Sequence, residues 1–206
     1  ADFQTAGKGQ AGNSWKSAPG KNLLFSMALY PLRVPIEEQF VISQAVSVGI
    51  KNILDTISDD ITVKWPNDIY WKDRKLAGIL IETSLFRNKI SKAVVGIGLN
   101  VNQTEFPDEV PNPISLKQIT GKSFNREKLL NKIRASILDV YGQWMPDKIR
   151  SAYSQSLFRK DGYHLYQSET GIFRAKINRI YPDGALELET EKGETAKYYF
   201  KEVKFL

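Results

Sequence analysis

The sequence predicts an α+β fold: a mixed β-sheet with helices packed on it, followed by a small β-barrel of the SH3 type. Runs of alternating apolar and polar residues between residues 22 and 101 indicate strands. Two other stretches place apolar residues at helical spacing. From about residue 159 onward, short strands and tight turns fill the chain. We therefore expect a larger domain (1–158) and a smaller one (159–206).

The larger domain begins with a turn-rich loop, residues 7–20, which holds four glycines. Pro35 precedes two glutamates, a pattern that suits the first turn of a helix reaching about residue 57. Asn125 suits the N-cap of a second long helix that ends near Pro146, and a further helix follows it. The predicted strands of this domain are 22–32, 61–65, 75–86 and 90–101, the last two forming a hairpin.

The smaller domain has a different pattern. Predicted strands cover residues 172–181, 185–191 and 195–203. Pro182-Asp183-Gly184 and Lys192-Gly193-Glu194 lie between them, and both are typical of hairpin turns. Regular alternation of short strands and turns favours a small barrel.

Composition excludes several kinds of site. The chain has no cysteine and a single histidine, His164, which rules out disulfides, thiolate nucleophiles and His-rich zinc sites. His164 lies among aromatic residues and is interpreted as structural. No apolar run is long enough to span a bilayer and no signal peptide is visible, so we expect a cytoplasmic protein without a membrane partner.

Positive charge is concentrated in the C-terminal part. Of the net charge of +6, residues 121–206 carry +5, from 16 basic and 11 acidic residues. Such a bias suits nucleic acid, an acidic protein partner or a solvated surface. The basic residues are interspersed with acids, which favours the solvated surface.

Two segments have the composition of anion sites. In the loop from Gly7 to Trp15, alternate glycines let backbone N–H groups approach an anion, Lys8 adds a charge and the indole offers a flat face. The loop has neither a Walker A ending nor a surrounding βαβ unit. In Lys64-Trp65-Pro66-Asn67-Asp68, a cation, an amide and a carboxylate suit a nucleotide triphosphate with Mg²⁺. A flexible connection and a surface turn are the respective alternatives.

Two strands carry residues that are unusual inside strands. Lys75 begins an apolar strand, where a lysine withdrawn from water is a candidate electrostatic catalyst. Gly78 follows in the same strand, and Gly96 and Gly98 lie in the next one. Glycine weakens a strand, so we expect a ligand or a flat apolar ring against this bare backbone. An exposed lysine and close packing of a strand on a helix remain the alternatives.

Taken together and in this order, these motifs resemble the catalytic domain of the biotin–protein ligase family. The resemblance covers the Gln4-Thr5-Ala6-Gly7-Lys8-Gly9 loop, Lys-Trp-Pro-Asn-Asp, Arg74-Lys75-Leu76-Ala77-Gly78 and Gly96-Ile97-Gly98-Leu99-Asn100. It implies a sheet with packed helices, like that of class II aminoacyl-tRNA synthetases, and an SH3-like C-terminal domain.

The resemblance also implies a reaction. Biotin and ATP, with Mg²⁺, would form biotinyl-5′-AMP, and biotin would then pass to a lysine of a biotin carboxyl carrier protein. It implies that the catalytic lysines are Lys8, Lys64 and Lys75. Biotin would contact Gln4, Gly7, Lys8, Lys75, Gly78 and Gly98. ATP would contact Gln10, Trp15, Lys64, Asn67 and Asn100, and Asp68 would hold the metal.

This sequence departs from the family pattern in two places. Gln10 stands where many members carry a second arginine, which implies a weaker grip on the adenylate. An upstream Ser-Thr-Asn stretch that contacts biotin in the family is missing, so we expect an incomplete biotin pocket. The chain also lacks the helix-turn-helix domain of repressor-type members, so we expect a monofunctional ligase that does not bind DNA. An open sheet edge would allow a homodimer.

Two other functions compete with this interpretation. A lipoate–protein ligase shares the fold and the adenylation chemistry but generally lacks the Lys-Trp-Pro-Asn-Asp motif. A basic nucleic-acid-binding module would use the positive C-terminal part and Tyr198, Tyr199 and Phe200, and its binding would weaken steeply with salt.

Overall fold

A five-stranded antiparallel sheet forms the centre of the larger domain. A computed structural model of the protein describes residues 1–206, apart from the side chain of Ala11. The strands are β3 (Leu23–Leu29), β4 (Ile61–Lys64), β5 (Asp68–Trp71), β6 (Arg74–Phe86) and β7 (Lys89–Leu99). Their order in the sheet is β3-β7-β6-β5-β4, and two isolated parallel bridges, Val63 with Leu157 and Lys75 with Pro113, add the parallel pairing of a mixed sheet.

Helices cover one face of this sheet. They are α1 (Phe40–Leu54), α2 (Leu116–Thr120), α3 (Arg126–Gln143) and α4 (Pro146–Gln155). Helix α1 is buried along nearly its whole length, against α3, α4 and the strands. A Cβ atom at Gly49 would lie 2.7 Å from the Cα of Ile137, so glycine is what lets α1 and α3 approach so closely.

The start of α3 confirms the sequence analysis, and the helix boundary predicted near Pro146 separates α3 from α4. Asn125 Oδ1 accepts a hydrogen bond from the backbone N–H of Lys128 at 2.9 Å, and Pro146 is the first residue of α4. The short helix α2 was not predicted, although Ser115 and Gln118 form a capping box there.

The face opposite the helices carries a small hairpin made of β1 (Gly7–Lys8) and β2 (Ser14–Trp15). Strand alternation explains why. Ala77 and Ile79 of β6 are buried in the helix-covered core, so Gly78 and its same-face neighbours point the other way. The hairpin therefore lies over the glycine-bearing face of β6 and β7.

The C-terminal part is a second antiparallel sheet, in the order β11-β10-β9-β8-β12. Its strands are β8 (His164–Ser168), β9 (Gly171–Ile180), β10 (Leu186–Thr190), β11 (Thr195–Tyr198) and β12 (Lys204–Phe205). No pairing of β11 with β12 joins the two ends among the described residues, so the expected closed barrel is not seen. The strand predicted over residues 195–203 is interrupted after Tyr198, where Tyr199 and Glu202 form a turn.

Among the residues that the structure describes, no helix is long and apolar enough to cross a membrane.

The two sheets are in direct contact. The indole Nε1 of Trp65, the residue after β4, donates a hydrogen bond at 2.8 Å to the carbonyl of Gly184, which lies in the turn between β9 and β10. The C-terminal sheet is thereby held next to the strand that leads into the Lys64–Asp68 motif.

Candidate functional site

A cavity of about 320 Å³ lies between the β1–β2 hairpin and the glycine-bearing face of the sheet. Its walls come from three predicted segments: the N-terminal loop, the Lys64–Asp68 motif and the strands β6 and β7. The predicted site residues that line it are Gln4, Lys8, Gln10, Trp15, Asn67, Asp68, Lys75, Gly78 and Gly98. Residues far apart in the sequence therefore meet at one place.

The floor of the cavity is formed by Trp15 lying on glycine backbone. Gly78 and Gly98 are directly opposite each other in the β6–β7 pairing. A Cβ atom at Gly98 would lie 2.4 Å from the indole ring, and one at Gly78 would lie 3.0 Å from it. The sequence predicted a flat ring against this backbone, and the ring found there is the protein's own indole.

Lys75 and Asp68 form an ion pair at the edge of this floor. The Lys75 Nζ atom lies 2.8 Å from Asp68 Oδ1, and both side chains are about a quarter exposed. The same ammonium lies 5.8 Å from the centre of the Trp15 ring. An ammonium has three donors, so Lys75 keeps hydrogen-bonding capacity for an anion that enters the cavity.

Asn67 is fixed by two hydrogen bonds to β6. Its side-chain amide donates to the Ile79 carbonyl, and its own backbone carbonyl accepts from the Ile79 N–H at 3.1 Å. Asn67 is buried and still contributes to the cavity wall. These contacts set the position of Asp68, the next residue and the first of β5.

Lys64, which the family resemblance implies is catalytic, does not line the cavity together with Lys8 and Lys75. Its Nζ lies 4.7 Å from the centre of the Tyr70 ring and near the rings of Phe158 and Phe205, and it donates to the Tyr70 hydroxyl at 3.2 Å. Burial lowers the pKa of Lys64, and the nearby Asp68 carboxylate partly opposes this effect.

Lys64 lies away from the cavity because of strand alternation and because of the position of the C-terminal sheet. Trp65 and Lys64 point to opposite sides of the chain, and Phe158 and Phe205 cover the side that Lys64 occupies. The ammonium is thus enclosed by aromatic rings and does not line the cavity with Lys8 and Lys75.

Two further predicted contacts lie outside the cavity lining. Gly7 pairs with Trp15 in the hairpin, where a Cβ atom would lie 2.4 Å from the Trp15 carbonyl oxygen, so its role is to let the two strands approach. Asn100 is buried behind β7, and its backbone bonds to Leu76 and Leu116.

Sequence analysis missed several cavity residues, among them Leu24, Phe25 and Ser26 of β3, Glu82 and Phe200. Glu82 could have been found, because it lies at an even spacing from Gly78 along β6 and therefore shares its face. Phe200 comes from the C-terminal sheet, and no local signal connects it with the motifs of the larger domain.

Two buried polar atoms at the cavity, the indole Nε1 of Trp15 and the Oε1 of Gln10, have no hydrogen-bond partner among the described residues. Buried polar groups are normally paired. A polar ligand could pair with these groups.

Comparison with known proteins shows which proteins the chain resembles. Residues 1–100 match the model of the biotin/lipoate A/B protein ligase family. A biotin protein ligase from Aquifex aeolicus, solved in complex with biotin and ATP, superposes on the whole chain and on 87% of its own length, with a TM-score of 0.80 and 27% identity. The chain is thus similar to biotin–protein ligases over nearly its whole length.

Curated relatives of this family extend beyond the chain. A bifunctional ligase/repressor BirA of Bacillus subtilis is 30% identical over 201 residues, which are 94% of this chain and 61% of the relative. A biotin--[acetyl-CoA-carboxylase] ligase of Mycobacterium tuberculosis is 30% identical over 152 residues, which are 70% of this chain and 53% of the relative. The chain thus spans little more than half the length of these biotin–protein ligase relatives.

Proposed function

We propose that the protein is an ATP-dependent ligase that forms biotinyl-5′-AMP and transfers biotin to a lysine of a biotin carboxyl carrier protein. The observation that carries the proposal is the position of Lys75, which borders a cavity whose floor is the Trp15 indole packed on the glycine backbone of β6 and β7. An apolar ring system and an anion can be accommodated there together. The bound biotin and ATP of the Aquifex aeolicus relative support this choice of substrates.

In the first step, a carboxylate oxygen of biotin attacks the α-phosphorus of ATP, an acyl phosphate bond forms and pyrophosphate leaves. Two anions must approach each other, so cations lower the barrier. Lys75 would stabilise the charge that develops on both groups, and Asp68 would hold its ammonium in place. Lys8 supplies a second positive charge to the cavity.

The remaining cavity residues would bind the substrates. Gln4, Gly78 and Gly98 would contact biotin, and Gln10, Trp15 and Asn67 would contact the nucleotide. For Lys64, Gly7 and Asn100 the geometry favours a supporting role outside the cavity.

Magnesium fits this site only together with the nucleotide. No group of three or more His, Cys, Asp or Glu side chains that could hold a metal occurs in the part of the chain that the structure describes. Mg²⁺ usually binds one or two carboxylates plus phosphate oxygens, which suits Asp68 in the cavity wall. The ion would neutralise phosphate charge.

In the second step, the amine of a carrier lysine attacks the acyl carbon, an amide forms and AMP leaves.

We further propose that residues 1–158 form the catalytic domain and that residues 159–206 correspond to the SH3-like domain of the family. The free edge of β3 would allow a homodimer. A chain without cysteine suits the reducing cytoplasm as its location.

Biotin-dependent release of pyrophosphate, followed by carrier-dependent release of AMP, tests the proposal. We expect both with biotin. Activity with lipoate but not with biotin would show that the protein is a lipoate–protein ligase and would overturn the proposal. The nucleic-acid-binding module would be favoured by a different result: RNA or DNA binds without ATP, the binding falls steeply with salt, and neither pyrophosphate nor AMP is released.

A further inference from the structure

The turn Pro182-Asp183-Gly184 of the C-terminal sheet is bonded directly to the Lys64–Asp68 motif. The indole Nε1 of Trp65 donates to the Gly184 carbonyl at 2.8 Å, and this hydrogen bond is buried. Trp65 itself is only 5% exposed. A buried donor that loses its acceptor costs more than a hydrogen bond at the surface, so this contact constrains both segments.

Gly184 has no room for a side chain. Its φ is +92°, which disfavours L-residues, and a Cβ atom would lie 2.7 Å from the Phe40 ring at the start of α1. Phe40 packs edge-on against Tyr153, with ring centres 5.7 Å apart. Tyr153 in turn donates its hydroxyl to the Pro66 carbonyl at 2.8 Å. Trp65 and Pro66 are therefore enclosed by the turn, α1 and α4.

This enclosure is continuous with the cavity. Asn67 follows Pro66 and is bonded to Ile79, and Asp68 comes next and pairs with Lys75. Asp183 and Asn67 both line a second cavity of about 210 Å³ beside the turn. A displacement of Gly184 would be transmitted through Trp65 to Asn67 and Asp68.

We propose that Gly184 and Trp65 form a latch by which the C-terminal sheet positions Asn67 and Asp68 for the nucleotide. Gly184 and Trp65 are positioning residues. Neither lines the main cavity, and they act through the Lys64–Asp68 motif. The inference rests on the proposed function for its kinetic consequences. Its structural consequence, the fixed position of residues 67 and 68, does not depend on that function.

The decisive variant is Gly184→Ala, with Gly193→Ala as matched control. Gly193 also has a positive φ, +80°, in a hairpin turn of the same sheet, but a Cβ atom there would meet nothing within 4 Å. Both variants carry similar backbone strain, and only the first disturbs Phe40 and Trp65. We expect Gly184→Ala to raise KM for ATP at least about tenfold and to leave biotin affinity within about twofold, since small misplacements are costly. Gly193→Ala should change neither.

Two further variants separate positioning from general destabilisation. Trp65→Phe keeps the ring and removes the donor, and should shift KM for ATP in the same direction. Phe40→Ala in the Gly184→Ala background removes the ring atoms that would lie 2.7 and 2.9 Å from the new methyl group, and should restore part of the ATP affinity. Equal KM values for Gly184→Ala and Gly193→Ala in folded protein would overturn the latch.

Hydrogen exchange keeps this test independent of activity. The Ile79 amide is bonded to the Asn67 carbonyl, so its protection reports the position of the motif. Gly184→Ala should speed exchange at Ile79 and Gly193→Ala should not. If the wild type released no pyrophosphate with biotin, the proposed function would fail, but this exchange result would still decide the latch. Unchanged Ile79 protection in Gly184→Ala would contradict it.

Discussion

Lys75 and Asp68 face each other across neighbouring strands, with the ammonium 2.8 Å from the carboxylate. Lys75 lies near the start of β6 and Asp68 at the start of β5, so the pair is held by two paired strands. This geometry places a fixed positive charge and a potential ligand for Mg²⁺ at one point of the cavity wall.

Replacing Asp68 tests the carboxylate half of this pair. Asp68→Asn keeps the size of the side chain but removes the charge that anchors Lys75 and suits a metal. We expect a loss of about a hundredfold in kcat/KM for ATP in biotin-dependent pyrophosphate release, the size typical of a lost charge contact. Asp59→Asn, at an exposed position, serves as control and should change little. Unimpaired turnover in Asp68→Asn would remove this carboxylate from the site.

The contact of Trp15 with Gly98 can be tested by adding one methyl group. In Gly98→Ala the Cβ atom would lie 2.4 Å from the indole, whereas in Gly96→Ala the nearest atom is 3.7 Å away. We expect Gly98→Ala to lower the free energy of unfolding by about 1–3 kcal/mol and to weaken biotin binding, because the floor of the cavity must shift. Calorimetric titration with biotin and urea unfolding measure the two effects. Similar values for the two variants would show that Trp15 does not lie on Gly98 in solution.

Adding a methyl group at two glycines of α1 and α3 should change the free energy of unfolding in opposite directions. Gly49→Ala places a methyl group 2.7 Å from the Ile137 Cα and should destabilise the protein by about 1–3 kcal/mol. Gly142→Ala, in α3, meets nothing within 4 Å and should stabilise it by about 0.5–1 kcal/mol through helix propensity. Urea unfolding of both variants checks the signs, and a neutral Gly49→Ala would argue against this helix contact.

The lowered pKa of Lys64 predicts that the stability of the protein depends on pH. Burial lowers its pKa below the ordinary value of 10.5. The unfolded chain therefore binds more protons between the lowered pKa and 10.5, and the free energy of unfolding gains a contribution that rises with pH across this window. Lys64→Met keeps an apolar stem among the rings and cannot titrate, so it should lose that rise.

Urea unfolding at several pH values from neutral to about 9 measures this effect, and the upper limit avoids most tyrosine ionisation. The limit matters because burial raises the pKa of the adjacent Tyr70 from 10.0 to about 12, which makes stability fall as the pH approaches and passes 10. Parallel curves for the wild type and Lys64→Met would contradict an enclosed ammonium.

Local patterns predicted much of the fold. Apolar alternation located the β6–β7 hairpin almost to the residue. Asn125 marked the start of α3, and Pro146 lies at the predicted boundary between α3 and the next helix. These features are decided by residues within a few positions of each other. The Pro182-Asp183-Gly184 turn was predicted for the same reason.

Features that depend on distant parts of the chain could not be read in this way. Alternation gave the direction of Lys64, but only the packing of Phe158 and Phe205 shows that rings enclose it. Glycines in β6 and β7 predicted a flat ring without revealing that it belongs to Trp15. The open C-terminal sheet likewise depends on an interruption after Tyr198 that apolar spacing does not show.

Formation of the adenylate by Lys75→Ala is the most direct test of this account. The measurement is biotin-dependent pyrophosphate release, with circular dichroism to confirm folding and Lys92→Ala, an exposed strand lysine, as control. We expect Lys75→Ala to be folded and to lose at least about a thousandfold in rate, because the variant lacks the ammonium that would stabilise the charge developing on both anions. A folded Lys75→Ala protein that forms adenylate at the rate of the Lys92→Ala control would contradict the central role of Lys75.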